Sequence, residues 1–178
     1  MFNQALSVEL FKELTNGRVI NKYKLQNNGE ETENELFTEV MSNLDTYRLQ
    51  YRMSGYELIE HEDYFYIRDA DVGFDDLQSD ITMKVSVLLI LLGKYVNDKG
   101  YILSKLTSTA GGLSDADLDE IETLPNTIEL MEKCDFKKGF KHAFKSSLVD
   151  RNIMLQKPTD GRYVLSAAGR AFFAALTC

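Results

Sequence analysis

The stretch from Lys133 to Arg162 carries much positive charge for an acidic protein. It holds eight Lys or Arg residues against three Asp, whereas the 178-residue chain has a formal net charge of -8. Within it, Lys137, Lys141 and Lys145 are spaced four residues apart, which places them on one face of a helix. Such a stripe is either an ordinary solvated helix face or a surface that meets a polyanion.

If this stretch meets a nucleic acid, its basic side chains bind backbone phosphates. Contacts of that kind are independent of sequence and sensitive to salt. The candidate DNA-binding residues are Lys137, Lys138, Lys141, Lys145, Arg151, Lys157 and Arg162.

The sequence carries no constellation typical of catalysis or metal binding. The two histidines, His61 and His142, have no His, Cys or Glu partner at ligand spacing. The stretch from Asp115 begins like a calcium loop, but Glu120 replaces the turn glycine and Asn126 the bidentate glutamate. Phosphate loops, dinucleotide turns and nucleophile elbows are also missing. We therefore expect a binding protein without metal or cofactor, not an enzyme.

The composition indicates an ordinary globular protein, with 44% hydrophobic and 27% charged residues. The longest apolar run, Val87 to Leu92, is far shorter than the roughly 20 residues that cross a bilayer. The N-terminal residues do not resemble a secretion signal, and Cys134 and Cys178 are too few for a disulfide framework. We expect a cytoplasmic protein with no membrane partner.

The elements that must position these side chains fall into two units of the same order. The first unit is predicted to begin with a helix over residues 5–14 and a short extended piece at 18–20. A helical stretch over 36–51, which breaks near Ser42-Asn43, and a hairpin of strands 56–60 and 64–68 follow.

The second unit repeats this order after an Asp-rich stretch. It is predicted to begin with a helix over 81–96 capped by Asp80, a short extended piece at 100–103 and a helix with a Ser114–Asp117 capping box. The basic helix comes next, with an apolar edge formed by Phe136, Phe140, Phe144 and Leu148. A hairpin that turns at Asp160-Gly161 and a helix over 167–176 capped by Ser166 complete the unit.

A small three-helix unit closed by a β-hairpin is the pattern of a winged helix. We therefore predict a mainly α, α+β protein with two tandem winged-helix domains, each with three helices and a hairpin wing, plus a C-terminal helix. The domains are predicted at residues 1–70 and 80–178, with an acidic linker at 71–79. In many winged helices the third helix enters the major groove of DNA, and here the third helix of the second unit is the basic one.

Stretches spread over nearly the whole chain resemble the MukE family of bacterial condensin accessory subunits, most closely its shorter MksE-type members. The similarity lies in the order of a G-R-x-I turn at 17–20, a second wing strand "YFYIR" at 64–68, a Leu-rich helix that opens the second unit, and a terminal segment "LSAAGRAFF" at 165–173. The resemblance implies a homodimer that binds a kleisin subunit of MukF or MksF type. Through the kleisin it would join an SMC ATPase of MukB or MksB type.

The resemblance also implies a nucleoid-associated role in chromosome organisation and segregation or in plasmid defence, with double-stranded DNA held in the complex. The basic face from 137 to 162 is then expected to line the DNA channel. A short hairpin with aromatic residues on both sides cannot cover both within its own unit, so one side is expected to seat the kleisin or a second copy. The candidate protein-interface residues are Tyr64, Phe65, Tyr66, Phe172 and Phe173.

The main alternative is a free-standing winged-helix transcription regulator. Such a protein needs a basic recognition surface, usually duplicated by dimer symmetry. The net charge of -8 argues against it, as does the first unit, whose equivalent helix offers only Arg48 and Arg52. A regulator binds a defined duplex alone, whereas a condensin accessory subunit binds little DNA until its kleisin is present.

Overall fold

The computed structural model describes residues 2–71, here the first half, and residues 80–177, the second half. The helices are α1 (Gln4–Thr15), α2 (Glu35–Ser42), α3 (Leu44–Met53), α4 (Asp80–Asp98), α5 (Ser104–Thr107), α6 (Asp115–Thr123), α7 (Pro125–Lys133), α8 (Phe140–Phe144) and α9 (Ala167–Thr177). The strands are β1 (Ile20–Asn21), β2 (Tyr23–Leu25), β3 (Glu31–Glu33), β4 (Tyr56–Glu60), β5 (Tyr64–Asp69), β6 (Met154–Gln156) and β7 (Tyr163–Leu165). The protein thus combines helices with small antiparallel sheets.

The predicted linker lies almost entirely outside the described residues, which include only Asp71 of it. Helix α4 begins at Asp80, one residue before the predicted start, but the side chain of Asp80 is outside the described part, so its capping role stays a prediction. Within the described residues, no helix is both long and apolar enough to span a bilayer.

The first half follows the predicted order of elements. Helix α1 begins after Asn3, whose Oδ1 accepts hydrogen bonds from two backbone N–H groups of the first turn, and Asn16 follows its last residue as the C-cap. The predicted break near Ser42-Asn43 separates α2 from α3. Strands β4 and β5 form the predicted hairpin, and β1 pairs with the other side of β5, with Ile20 opposite Phe65.

A second hairpin, β2–β3, was not predicted in this half. Strand β2 pairs antiparallel with β3, and Lys24 lies opposite Thr32. The connection contains Asn28-Gly29, and Gly29 has a φ of +83°, a conformation that glycine adopts at little cost. The Asn28 side chain accepts a hydrogen bond from the Glu30 N–H at 3.0 Å, which stabilises the turn locally.

The second half departs from the predicted repeat at residues 100–103. These residues form no strand in the described second half, and α5 follows them directly. The hairpin β6–β7 instead gains a single bridge from Leu113 to Tyr163, with reciprocal backbone hydrogen bonds of 2.9 Å. The Ser114–Asp117 capping box and the hairpin with its Asp160-Gly161 turn are confirmed.

The basic helix is shorter than predicted. Helix α8 begins only at Phe140, after Gly139 with a φ of +80°, so Lys137 precedes the helix and the three lysines do not share one helical face. A Cβ at residue 139 would lie 2.7 Å from the Glu122 carboxylate, which could move aside, so it is the positive φ that favours glycine there. Beyond Phe140 the predicted apolar edge is found, since Phe144 and Leu148 are fully buried; α8 continues into a π-helical turn, Lys145–Val149.

The two halves share part of their hydrophobic core. One cluster lies within the first half around Tyr47, Tyr51 and Phe65. The larger cluster lies around α4, α8 and α9, and it includes Val19 and Tyr64 of the first half. The halves are therefore packed against each other and not only joined by the chain.

Candidate functional site

The ammonium group of Lys157 is buried inside the second half. Its Nζ donates hydrogen bonds to the carbonyl oxygens of Thr109 (2.9 Å) and Gly111 (2.7 Å) and lies 2.8 Å from Asp160 Oδ2. The side chain is only 4% exposed. The hydrogen bond from Lys157 holds the pKa of the Asp160 carboxyl below its usual range. With its donors committed to the fold, Lys157 has none left for a phosphate, which argues against its expected contact with DNA.

Arg151 lies at the contact between the two halves. Its Nη1 donates to the carbonyl oxygen of Gly17 at 3.2 Å, just beyond the end of α1. The guanidinium occupies the space that a side chain at residue 17 would need, and Gly17 has a φ of +75°. Arg151 is therefore engaged at the contact between the halves, and its expected contact with DNA stays a prediction.

Lys141 is directed towards α6. Its Nζ lies 2.5 Å from Asp119 Oδ1, and this hydrogen bond raises the pKa of the lysine. Its backbone N–H also points to the Glu122 carboxylate, at 3.4 Å. An exposed pair of this kind contributes little to stability, but it places a carboxylate where a DNA phosphate would have to bind.

The remaining predicted cations, Lys137, Lys138, Lys145 and Arg162, are exposed. Two of them line a shallow groove of about 410 Å³ before and along α8, which we call the basic groove. Its lining consists of Lys84, Asp135, Phe136, Lys137, Lys138, Gly139, His142, Ala143, Ser146 and Ser147. Arg162 lines a different groove, which shares no residue with the basic one.

The basic groove collects donors for an anionic ligand. Lys137 has only a loose contact with Asp135, 3.9 Å apart and with both side chains largely exposed, and within the described residues Lys138 forms no ion pair. The hydroxyl of Ser147 adds a neutral hydrogen-bond donor, whereas that of Ser146 donates to the Ala143 carbonyl at 3.5 Å. This arrangement is suited to phosphate oxygens, which take both charged and neutral donors.

Sequence reasoning missed two members of the basic groove. Lys84 comes from α4, and its Nζ lies 5.9 Å from the centre of the Phe136 ring. His142 is on α8, and the sequence shows no partner for it at ligand spacing. The approach of α4 to the loop before α8 is a tertiary contact, and no local pattern in the sequence indicates it.

The aromatic residues predicted as a protein interface lie mostly inside the protein. Phe65 is fully buried, Tyr64 and Phe173 are buried, and Tyr66 and Phe172 are half-buried. The Tyr64 ring packs on the Phe172 ring of α9, which covers the side of the hairpin that its own half leaves open. The exposed aromatic side predicted for this hairpin is thus largely occupied by the second half.

Backbone and amide groups complete this contact, which we call the joint. The N–H of Val19 donates to the Arg151 carbonyl at 3.0 Å, and the Asn152 amide donates back to the Val19 carbonyl at 3.0 Å. The Asn21 amide donates to the Asn152 carbonyl at 2.9 Å, and its oxygen accepts from the Ala168 N–H at 3.0 Å. The outward-facing backbone groups of Val19 next to β1 thereby find partners in the second half.

A cluster of titratable groups connects α4 to α6. The Tyr95 hydroxyl lies 2.9 Å from both Asp117 Oδ1 and Glu120 Oε2, although it has one proton to donate. Burial, and then these two carboxylates, raise the pKa of Tyr95. Lys99 pairs with Glu120, and Lys105 lies 3.4 Å from Asp117, so both carboxylates have a cation beside them. The cluster stabilises the start of α6.

Groups of three or more His, Cys, Asp or Glu side chains that would hold a metal ion are not found among the described residues. His61, at the tip of the β4–β5 hairpin, stacks on Tyr64 with ring centroids 4.3 Å apart. The acidic stretch from Asp115 forms the first turns of α6 and not a calcium loop.

Comparison with known proteins gives one result that spans the chain. No curated protein matches significantly. The family model described as condensin complex protein MksE matches residues 5–177, which covers both halves and the predicted linker between them. The resemblance seen in the order of sequence motifs is thereby confirmed: the chain belongs to the MksE family of condensin complex proteins.

Proposed function

We propose that this chain is a non-catalytic accessory subunit of a bacterial SMC condensin complex. In this proposal it forms a homodimer at the nucleoid in the cytoplasm and binds a kleisin of MukF or MksF type. The kleisin links it to an SMC ATPase of MukB or MksB type, and the chain helps to hold double-stranded DNA. The match to the MksE family over residues 5–177 supports this proposal and does not favour a free-standing regulator.

The proposal includes two winged-helix domains, at residues 1–70 and 80–178, with a linker at 71–79. In the first half, α1 to α3 precede the β4–β5 hairpin, and β1 adds a third strand. In the second half, α6 to α8 precede the β6–β7 hairpin, and Leu113 supplies the additional pairing. This order of helices before a hairpin supports the winged-helix assignment.

The basic groove is the observation that carries the DNA-holding role. It lies at the helix that directly precedes the second hairpin, the position of the recognition helix in DNA-binding winged helices. We assign DNA contact to Lys137 and Lys138, with Lys145 beside them. Lys141, Arg151 and Lys157 are left out because each is engaged within the chain.

The DNA-holding role is tested by charge reversal in the assembled complex. Lys137→Glu with Lys138→Glu changes the charge by the same amount as Lys12→Glu with Lys24→Glu, a matched control at two exposed lysines of the first half. Duplex binding is measured by fluorescence anisotropy over a range of salt concentrations. We expect the first pair to weaken binding at least tenfold and to reduce the salt slope by about 2, since each lost phosphate contact removes about 0.9 from it. Equal effects of both pairs would remove the basic groove from the proposal.

The complex itself is tested by isolating the tagged chain from its native cytoplasm and identifying its partners by mass spectrometry. Recovery of a kleisin and a large SMC ATPase is the expected result. Recovery of the chain alone, together with binding to one defined duplex, would favour the regulator instead.

A further inference from the structure

A run of large apolar residues lies exposed where α4 leads into α5. Tyr101, Ile102 and Leu103 are 41%, 76% and 52% exposed. These are the residues predicted as a short strand, and no sheet of the described chain takes them up. Consecutive exposed apolar side chains of this size are typical of a surface that binds a partner.

A groove of about 320 Å³ lies directly beside this run, and we call the two together the Tyr101 platform. The groove is lined by Tyr101 and Ile102, by residues of α5 and of the 108–112 loop, and by Arg162 of the second hairpin. Its lining contains the two cations Lys105 and Arg162 and no carboxylate, in a chain with 28 acidic residues.

The wall of the groove is held in one shape by buried contacts. The Lys157 ammonium fixes the 108–112 loop through the carbonyl oxygens of Thr109 and Gly111. Gly111 lies directly on α5, since a side chain there would come within 2.8 Å of the Ser104 carbonyl oxygen. A groove that is formed before its ligand arrives loses little entropy on binding.

The two cations differ in what they can offer a ligand. Lys105 is engaged twice, by Asp117 at 3.4 Å and by the Tyr101 ring, whose centre lies 3.9 Å from its Nζ. The side chain of Arg162 is exposed and forms no ion pair within the described residues, although its charge helps to lower the pKa of the nearby Asp160 carboxyl. The platform therefore presents an apolar surface with one guanidinium at its edge, and a guanidinium binds a carboxylate in a bidentate manner.

We propose that the Tyr101 platform binds an extended acidic segment of a partner protein in the complex. A large apolar side chain of that segment packs on Ile102, and a carboxylate near it pairs with Arg162. This inference rests on the proposed function, which supplies a partner protein, and it adds the place and the chemistry of one contact.

The charge and shape of the platform favour this occupant over two others. A symmetric contact with a second copy must be self-complementary, and a groove with a cationic edge and no carboxylate is not. A nucleic acid would stack its bases on an open aromatic face, but the Tyr101 ring already has the Lys105 ammonium over it.

The test measures binding of the purified kleisin of the same complex to the full chain by titration calorimetry. Ile102→Asp and Arg162→Glu are the test variants. Arg162→Lys keeps the positive charge but removes the guanidinium that forms the bidentate contact. Leu49→Asp is the matched control, because Leu49 on α3 is also an exposed apolar residue, at 59%. Circular dichroism confirms that each variant is folded, which is expected since all three positions are exposed.

We expect Ile102→Asp and Arg162→Glu each to weaken kleisin binding at least tenfold, Arg162→Lys to weaken it less, and Leu49→Asp to leave it unchanged. If the kleisin binds all variants equally, the platform is not its site, while the proposed function stands. If the kleisin does not bind the unmodified chain, the proposed function fails and the inference fails with it.

A photo-crosslinking residue at position 102 identifies the occupant directly. Crosslinking to an Asp- or Glu-rich segment of the kleisin is the expected result. Crosslinking to a second copy of the chain, with a lower mass in solution for Ile102→Asp, would overturn the proposal in favour of a dimer contact.

Discussion

The ring of Tyr64 meets the ring of Phe172 edge to face, with centroids 5.6 Å apart and planes at 77°. One residue belongs to the β4–β5 hairpin and the other to the last helix. The aromatic side of the hairpin therefore packs within the chain, and burial raises the pKa of the Tyr64 hydroxyl there. The contact joins two halves that the sequence presents as separate units.

Replacing Phe172 by Ala is expected to lower the free energy of unfolding by about 2 kcal/mol, because a half-buried ring and its edge-to-face contact are lost. Urea denaturation followed by circular dichroism measures this change. Leu176→Ala, on the same helix but exposed, is the control and should change stability by less than about 0.5 kcal/mol. Equal effects of the two substitutions would contradict a stabilising role for the joint.

Replacing Lys157 by Met is expected to destabilise the protein by about 2 kcal/mol, because the partly buried hydrogen bonds from its ammonium to the carbonyl oxygens of Thr109 and Gly111 are lost. Chemical denaturation gives the value. The control is Lys145→Met, at an exposed lysine, and a loss as large as that for Lys157 would show that charge alone, not burial, is responsible.

Two buried tyrosines on α3 are expected to respond in opposite ways when the hydroxyl is removed. Among the described residues the Tyr51 hydroxyl has no hydrogen-bond partner, so Tyr51→Phe is expected to stabilise the protein by about 1 kcal/mol. The Tyr47 hydroxyl donates to Glu39 Oε1 at 3.1 Å, and burial is the main cause that raises its pKa to about 12. Tyr47→Phe is expected to cost about 1 kcal/mol. Thermal and urea unfolding compare the two variants, and changes of the same sign would contradict this expectation.

The capping box of α6 predicts a dependence of stability on pH. Burial acts to raise the pKa of Asp117, but hydrogen bonds from Ser114 and Tyr95 and the charge of Lys105 outweigh burial and hold this pKa below its usual range. A carboxyl whose pKa is lower in the folded chain contributes stability above the unfolded value, and this contribution is lost as the pH falls through the folded value. Asp117→Asn is therefore expected to cost about 1 kcal/mol at pH 7 and clearly less at pH 3.

The measurement is the free energy of unfolding in urea at the two pH values. Glu132→Gln, at an exposed carboxylate on α7, serves as the control and should give a small change at both. A cost for Asp117→Asn that is the same at pH 7 and pH 3 would rule out the ionised carboxylate as its source.

Local chemistry explains what the sequence predicted correctly. Ser114 and Asp117 are three residues apart and satisfy each other's backbone N–H groups, and Asp160-Gly161 is a turn signal between two short apolar runs. Asn28-Gly29 is an equally local turn signal, and its hairpin was missed because the flanking strands are polar and exposed. The start of α8 was misplaced because Phe136 continues the four-residue apolar spacing, whereas Gly139 in the left-handed region interrupts the helix.

The candidate site depended on contacts that no local pattern contains. Lys157 looks like a surface lysine beside a turn, and only the approach of the 108–112 loop buries it. Lys84 reaches the basic groove from a helix more than 50 residues away in sequence. The pairing of Lys141 with Asp119 likewise depends on how α6 packs on α8.

The joint also has a consequence for how the chain is made. Val19 points its backbone N–H and carbonyl away from β5, and their partners, Arg151 and Asn152, are synthesised more than 130 residues later. Until those residues leave the ribosome, the nascent first half presents an unpaired sheet edge, and such an edge invites pairing with a neighbouring nascent chain. Aggregation during translation is thus the hazard that completion of the second half removes.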